Sequence, residues 1–188
     1  MKGLKHLKMD KLYILDPFGF RGSYNMFENG SNYPERLTKQ LIDSVLKKKQ
    51  YRHIYTMGSS KGGSCAIYFG LPLNADAIFA GACQFNIGTY VSQPGREKIL
   101  KGMMGENADK KDIEKLNRAI PSVMEVAAGT KTKLHILYSK RELTYERQII
   151  DLLAKARECG IPFLEIEEQF ENHEDVGYPF LSYVTRTI

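Results

Sequence analysis

Six residues, Gly58-Ser59-Ser60-Lys61-Gly62-Gly63, constrain this chain more than any other stretch. They contain Gly-x-Ser-x-Gly with Ser60 at the centre, and the setting gives the pattern its value. An apolar run, Ile54-Tyr55-Thr56-Met57, precedes them, and a helical run through Cys65, Ala66, Ile67, Tyr68 and Phe69 follows. A serine projecting from the end of a strand forces the chain to turn sharply into the next helix. Glycine at 58 and 62 leaves room for that turn, and Gly63 and Ser64 let the helix pack close to the strands. The first turn of the helix also points free N–H groups at the site and favours negative charge there. Gly-x-Ser-x-Gly arises by chance in many chains, and a glycine-rich turn can also cradle phosphate. A P-loop, however, carries its Lys after the second glycine, whereas Lys61 precedes the glycine pair; no Gly-x-Gly-x-x-Gly fingerprint occupies this turn.

The rest of the chain alternates strand and helix, which predicts an α/β fold: a mostly parallel sheet flanked by helices. Strands are expected at Leu12-Tyr13-Ile14-Leu15, Ile54-Tyr55-Thr56-Met57, 77–82, 134–138 and 162–166. A helix opens at Pro34, with Leu37, Leu41, Ile42, Val45 and Leu46 on one apolar stripe. Another carries Ile149, Ile150, Leu152, Leu153 and Ala156 on its buried side and ends at Gly160. A short helix at 180–184 closes the chain. The 188 residues form one domain. Residues 84–130, with short helices at 97–102, 110–118 and 121–128, read as a helical cap or insert within it.

A serine hydroxyl needs a base. In a fold of this kind the base is a histidine in the loop after the last strand, which selects His173. His6 precedes the first strand, His53 sits at the opposite end of a strand from the turn, and His135 lies inside a strand. The acid that orients the imidazole belongs after the penultimate strand. Glu142 fits, with Glu146 as a rival one turn into the next helix. The alternative position one strand earlier reads Cys83-Gln84-Phe85-Asn86 and holds no carboxylate. Asp175 is close to His173 in sequence and reads as a cap for the final helix. The order Ser60, Glu142, His173 is the serine–acid–histidine order of the fold. Two backbone N–H groups must hold the oxyanion. Lys61, after the serine, supplies one; Phe18 supplies the other, with Gly19 next, in the loop Phe18-Gly19-Phe20-Arg21-Gly22. The same loop also reads as an ordinary glycine-rich turn. Tyr90, Met103 and Met104 either line the site or belong to the core.

Composition narrows the alternatives. The chain is 43% hydrophobic and 26% charged, with a net charge of +5. Its densest basic cluster, Lys47, Lys48, Lys49 and Arg52, falls at a helix end, where cations suit the dipole. No zinc knuckle or RNA-binding signature accompanies it, so nucleic acid is not an expected partner. Cys65, Cys83 and Cys159 have no paired spacing, which argues against a disulfide framework or structural zinc and for a reducing, cytoplasmic setting. There is no apolar run of signal-peptide or membrane-span length. No metal or organic cofactor is implied.

The elbow and the string Ala66-Ile67-Tyr68-Phe69-Gly70-Leu71 resemble the XcbB/CpsF family of bacterial capsular polysaccharide biosynthesis proteins, an α/β-hydrolase-like group. Asp16-Pro17-Phe18-Gly19-Phe20-Arg21-Gly22-Ser23-Tyr24, Gly81-Ala82-Cys83-Gln84-Phe85-Asn86-Ile87-Gly88 and Asn172-His173-Glu174-Asp175-Val176-Gly177 extend the likeness over nearly the whole chain. A more distant similarity is to accessory Sec proteins implicated in O-acetylating surface glycoproteins. The resemblance implies making or modifying surface glycans, with a carbohydrate or small ester as substrate. Members of that family are longer at the N-terminus, and the leading edge strands are not visible here. The expectation is an esterase or O-acyltransferase; the alternative is a non-catalytic assembly or binding subunit of a glycan-synthesis complex, the C-terminal part of a split or truncated protein that is completed by an N-terminal segment or by glycan-synthesis proteins.

Overall fold

The computed structural model describes Leu4 and residues 7–188; His6 lies outside the described residues. Four strands, β1 (Tyr55–Ser59), β2 (Ala77–Gly81), β3 (Lys133–Tyr138) and β4 (Phe163–Glu167), form one parallel sheet in the order β1-β2-β3-β4. Parallel neighbours cannot be joined by hairpins, so helices fill every crossover. In chain order the α-helices are α1 (Tyr33–Leu46) before the sheet, α2 (Lys61–Gly70), α3 (Ile87–Val91), α4 (Glu97–Met104), α5 (Lys110–Asn117), α6 (Ala119–Val126) and α7 (Ile150–Glu158) in the crossovers, and α8 (Gly177–Thr187) after it.

Side-chain alternation divides the core. Ile78 and Ala80 of β2 join Ile67 of α2, Met124 of α6 and Leu152 of α7 in the larger cluster. Ala77 and Phe79 point the other way, to Phe180 and Val184 of α8. Every residue of β2 is buried, as expected of a strand covered on both faces. α7 ends in a Schellman motif: Gly160 has φ +63°, Ile161 N donates to Ala156 O at 3.0 Å, and Gly160 N donates to Arg157 O at 3.1 Å.

Several expectations need correction. Leu12-Tyr13-Ile14-Leu15 is not a strand. A strand exists through its ladder of hydrogen bonds, and residues 11–17 make none with β1, whose five residues are all half-buried. Asp16 is held instead by Lys61 and the Ser23 amide, so the segment is pinned at its end, leaving Leu15 77% exposed. On α1 only Ile42 of the predicted stripe is buried; Leu37 and Leu41 remain exposed. Ile150 is also exposed, because α7 is preceded by a π-helical turn (Tyr145–Ile149) whose wider winding shifts the buried face. The short helix α3 was not expected. α8 extends beyond 180–184 at both ends, and no side chain caps it: Asp175 instead accepts from Asn172 Nδ2 at 3.0 Å. Met103 and Met104 belong to the core.

The elbow fixes how close α2 comes to the sheet. A Cβ on Gly58 would overlap the Gly62 backbone, and one on Gly63 would lie 2.8 Å from Cys83 Cβ. Gly62 itself faces open space, so it is the Gly62 backbone, not a missing side chain there, that crowds the turn. Gly58→Ala should therefore cost about 3 kcal/mol or more, as overpacking against backbone does. Gly62→Ala should change stability by less than about 1 kcal/mol. Urea unfolding of the two variants measures the contrast, and equal losses would contradict it.

Candidate active site

The site is assembled at the carboxyl ends of the strands. Ser60 joins β1 to α2 with φ 52° and ψ −129°, a region non-glycine residues rarely occupy and which costs about 1–3 kcal/mol. The strained residue is held by its own amide, which donates to Gly81 O at 2.7 Å. The loop after β4 brings His173, the first residue of a 3-10 turn (His173–Val176), across to it. His173 Nε2 lies 2.7 Å from Ser60 Oγ. Glu142, from the turn after β3, is 8% exposed and places Oε1 3.5 Å from His173 Nδ1. Glu146 is exposed in the π-helical turn. The three residues selected from sequence order thus meet in space.

The Glu142–His173 distance is long for a hydrogen bond, and Thr144 bridges it. The buried Thr144 hydroxyl donates to Glu142 Oε1 at 2.7 Å, and its oxygen lies 3.2 Å from His173 Nδ1. Because the hydroxyl proton goes to the carboxylate, Thr144 can only accept from Nδ1–H. That fixes the tautomer, leaving Nε2 free to accept the Ser60 proton. Burial presses the Glu142 carboxyl upward, but the contacts from His173 and Thr144 outweigh it, so its pKa lies below the usual 4.5. The anion is the form that orients the imidazole.

Lys61 does more than follow the serine. Its amide opens α2, where no intrahelical acceptor exists. Its side chain reaches back to the loop after residue 15, with Nζ 2.8 Å from Asp16 Oδ2 and donating to Arg21 O at 3.0 Å. Ser23 N donates to the same Asp16 oxygen at 2.8 Å. Gly22 has φ +88°, and a Cβ there would overlap Lys61 Nζ. Phe18 is half-buried in this loop. The Gly19 amide donates to Glu28 Oε1 at 3.3 Å, which occupies the alternative oxyanion donor.

The other histidines and the cysteines stand apart. His53 pairs with Asp76 at 3.1 Å. His135 is buried, with Nδ1 2.6 Å from Tyr183 Oη, and desolvation holds its pKa down. Cys65, Cys83 and Cys159 are free; burial pushes the Cys65 and Cys83 thiols up to about 12, so neither competes as a nucleophile near neutrality.

No family model matches the chain, and no curated protein sequence does. Solved structures do. The capsule O-acetyltransferase of Neisseria meningitidis serogroup A superposes with a TM-score of 0.73 at 20% identity, covering 89% of this chain and 67% of that one. A Glycosylation Associate Protein complex of Streptococcus agalactiae gives 0.69 at 24% identity, covering 89% of this chain and 35% of that one. A fluorophosphonate-binding serine hydrolase of Staphylococcus aureus gives 0.65 at 13% identity, covering 88% of this chain and 66% of that one. The fold is α/β-hydrolase-like: a parallel sheet flanked by helices. The chain spans about two thirds of the first and third of these structures and about a third of the second. No helix among the described residues is long and apolar enough to cross a membrane.

Within this hydrolase fold, sequence reading missed Thr144, Gln84 and Asp16. Thr144 carried no signal beyond standing two residues after Glu142. Gln84 did carry one: it occupies the earlier acid position, with Nε2 donating to Ser60 Oγ at 3.3 Å. The lowered Glu142 pKa sets a pH dependence. The stabilisation it supplies is complete above 4.5 and is lost as pH falls through the depressed folded value. Glu142→Gln should therefore lose less stability than the unmodified protein between neutral pH and pH values below 4.5, as read by thermal melts; parallel losses would contradict the assignment.

Proposed function

We propose that the chain is a serine-nucleophile acyl-ester hydrolase or O-acyltransferase with Ser60, His173 and Glu142 as its triad. The observation that carries this reading is the 2.7 Å contact between Ser60 Oγ and His173 Nε2 at a strained strand-to-helix turn. Ser60 Oγ bonds to the carbonyl carbon of an ester while its proton passes to Nε2 and the carbonyl π pair moves to oxygen. The amides of Lys61 and Phe18 receive that oxyanion. The tetrahedral adduct collapses, the bond to the leaving alkoxide breaks, and the alkoxide takes the proton from His173. Water or an acceptor hydroxyl then repeats the sequence on the acyl-enzyme and restores Ser60.

The substrate class proposed is a carbohydrate or small ester in bacterial surface-glycan, or capsule, biosynthesis in the cytoplasm. Two supports exist for it: the resemblance to the XcbB/CpsF family and the overlap with a capsule O-acetyltransferase. Residues 84–130 act in this reading as the insert that shapes specificity; α4 meets the loop before α1 where Asn29 N donates to Gly102 O at 3.0 Å, and Arg96 stacks over Tyr90.

A second reading is a non-catalytic assembly or binding subunit of a glycan-synthesis complex. The half-buried edge strand β1 and the exposed Leu12, Tyr13, Leu37 and Leu41 favour it, as does the overlap with a subunit-bearing glycosylation complex. Labelling with a fluorophosphonate probe separates the two. The enzyme reading predicts labelling lost in Ser60→Ala and reduced by about 10³-fold or more in rate in His173→Ala. Folded protein that does not label would favour the assembly reading.

A further inference from the structure

Gln84 is 1% exposed, and its carboxamide sits between two hydroxyls. Nε2 donates to Ser60 Oγ at 3.3 Å, and Tyr24 Oη donates to Oε1 at 3.3 Å. The main chain is clamped by the buried Ser64: Gln84 N donates to Ser64 Oγ at 3.0 Å, and Ser64 Oγ donates to Gln84 O at 2.7 Å. Tyr24 is itself buried, which pushes its hydroxyl pKa well above 10 and keeps it a donor. The amide orientation follows from proton counting. Ser60 Oγ has one proton, committed to His173 Nε2, so a neighbour in hydrogen-bond reach must donate. An inverted amide would set its carbonyl against Ser60 lone pairs.

The geometry points to the Gln84 carboxamide as a side-chain donor to the oxyanion formed at Ser60, aimed by Tyr24. This rests on the reading of Ser60 as the nucleophile. When Oγ bonds to the carbonyl carbon, its proton moves to His173 and the π pair settles on an oxygen one carbon away from Oγ. A donor already touching Oγ needs only a small swing to meet that oxygen. At 3.3 Å the ground-state contact to Oγ is long and weak, so little is lost when Nε2 turns to the charged oxygen, and the bond to that oxygen forms only as the charge develops. Burial away from water raises the worth of such a contact. Glutamine suits this position, where a carboxylate would repel the oxyanion.

The test uses the full chain and its variants Gln84→Met, Gln84→Glu, Tyr24→Phe and Ser60→Ala, with p-nitrophenyl acetate as substrate, fluorophosphonate labelling of Ser60, and a trifluoromethyl ketone whose adduct carries an oxyanion. Gln84→Met, which keeps the side-chain shape, should lower kcat about 10²- to 10³-fold with little change in KM, and weaken the ketone by a similar factor. Gln84→Glu should do the same, and Tyr24→Phe should lose about tenfold in kcat. Thermal melts identify any variant that fails to fold, and the other Gln84 variant then decides. Full kcat in a folded Gln84 variant, with Ser60→Ala inactive, overturns the inference alone. Failure of the unmodified protein to label at Ser60 overturns the nucleophile reading and this inference with it.

Discussion

Everything at the site hangs on the reversal of the chain at Ser60. β1 delivers the backbone to the carboxyl edge of the sheet, and α2 must leave within one residue, so Ser60 takes a positive φ that a side chain tolerates poorly. Three local facts hold it there. Gly58 has no Cβ to strike Gly62, Gly63 lets α2 approach Cys83, and Gly81 O accepts the Ser60 amide. The last couples the elbow to β2, so the strain is borne by the sheet. The same reversal starts α2 directly after Ser60, which leaves the Lys61 amide without an intrahelical acceptor, and sends the Lys61 side chain back to hold the loop carrying Phe18.

Around that point the protein builds two polar arms. One runs from Ser60 through His173 to Glu142, with Thr144 as a bridge that settles the imidazole tautomer. The other runs from Ser60 through Gln84 to Tyr24. Each member of an arm has its hydrogen-bonding role fixed by its neighbour, so both arms determine where the Ser60 proton lies. Such arrangements are costly when half-satisfied and specific when complete. The arms come from opposite sides of the sheet order: β4 and β3 supply one, and β2 with the loop before α1 supplies the other.

Much of this was legible in the sequence because it is encoded locally or by order along the chain. The elbow is contiguous, His173 is the histidine that follows the last strand, and Glu142 lies in the turn after the penultimate one. The sheet was legible for the same reason: β2 and β3 are short, apolar and framed by helices. The failures share a different physics. Leu12-Tyr13-Ile14-Leu15 has strand composition, but a strand is made by its neighbour, and the chain spends Asp16 on Lys61 instead. Leu37 and Leu41 follow helical spacing, yet burial depends on what lies opposite them. Thr144 and Gln84 act through contacts with residues 29 and 24 positions away in sequence, and no local pattern announces such meetings.

The central claim is that Ser60 takes and passes on an acyl group. The most direct measurement is to mix the protein with an activated acetyl ester, quench in acid, and weigh the intact chain and its peptides by mass spectrometry. The account predicts a mass increase of one acetyl group, on the peptide holding Ser60, that is removed by hydroxylamine and absent in Ser60→Ala. An unmodified Ser60 peptide from folded protein, under conditions where the ester is consumed by a control serine hydrolase, would contradict it.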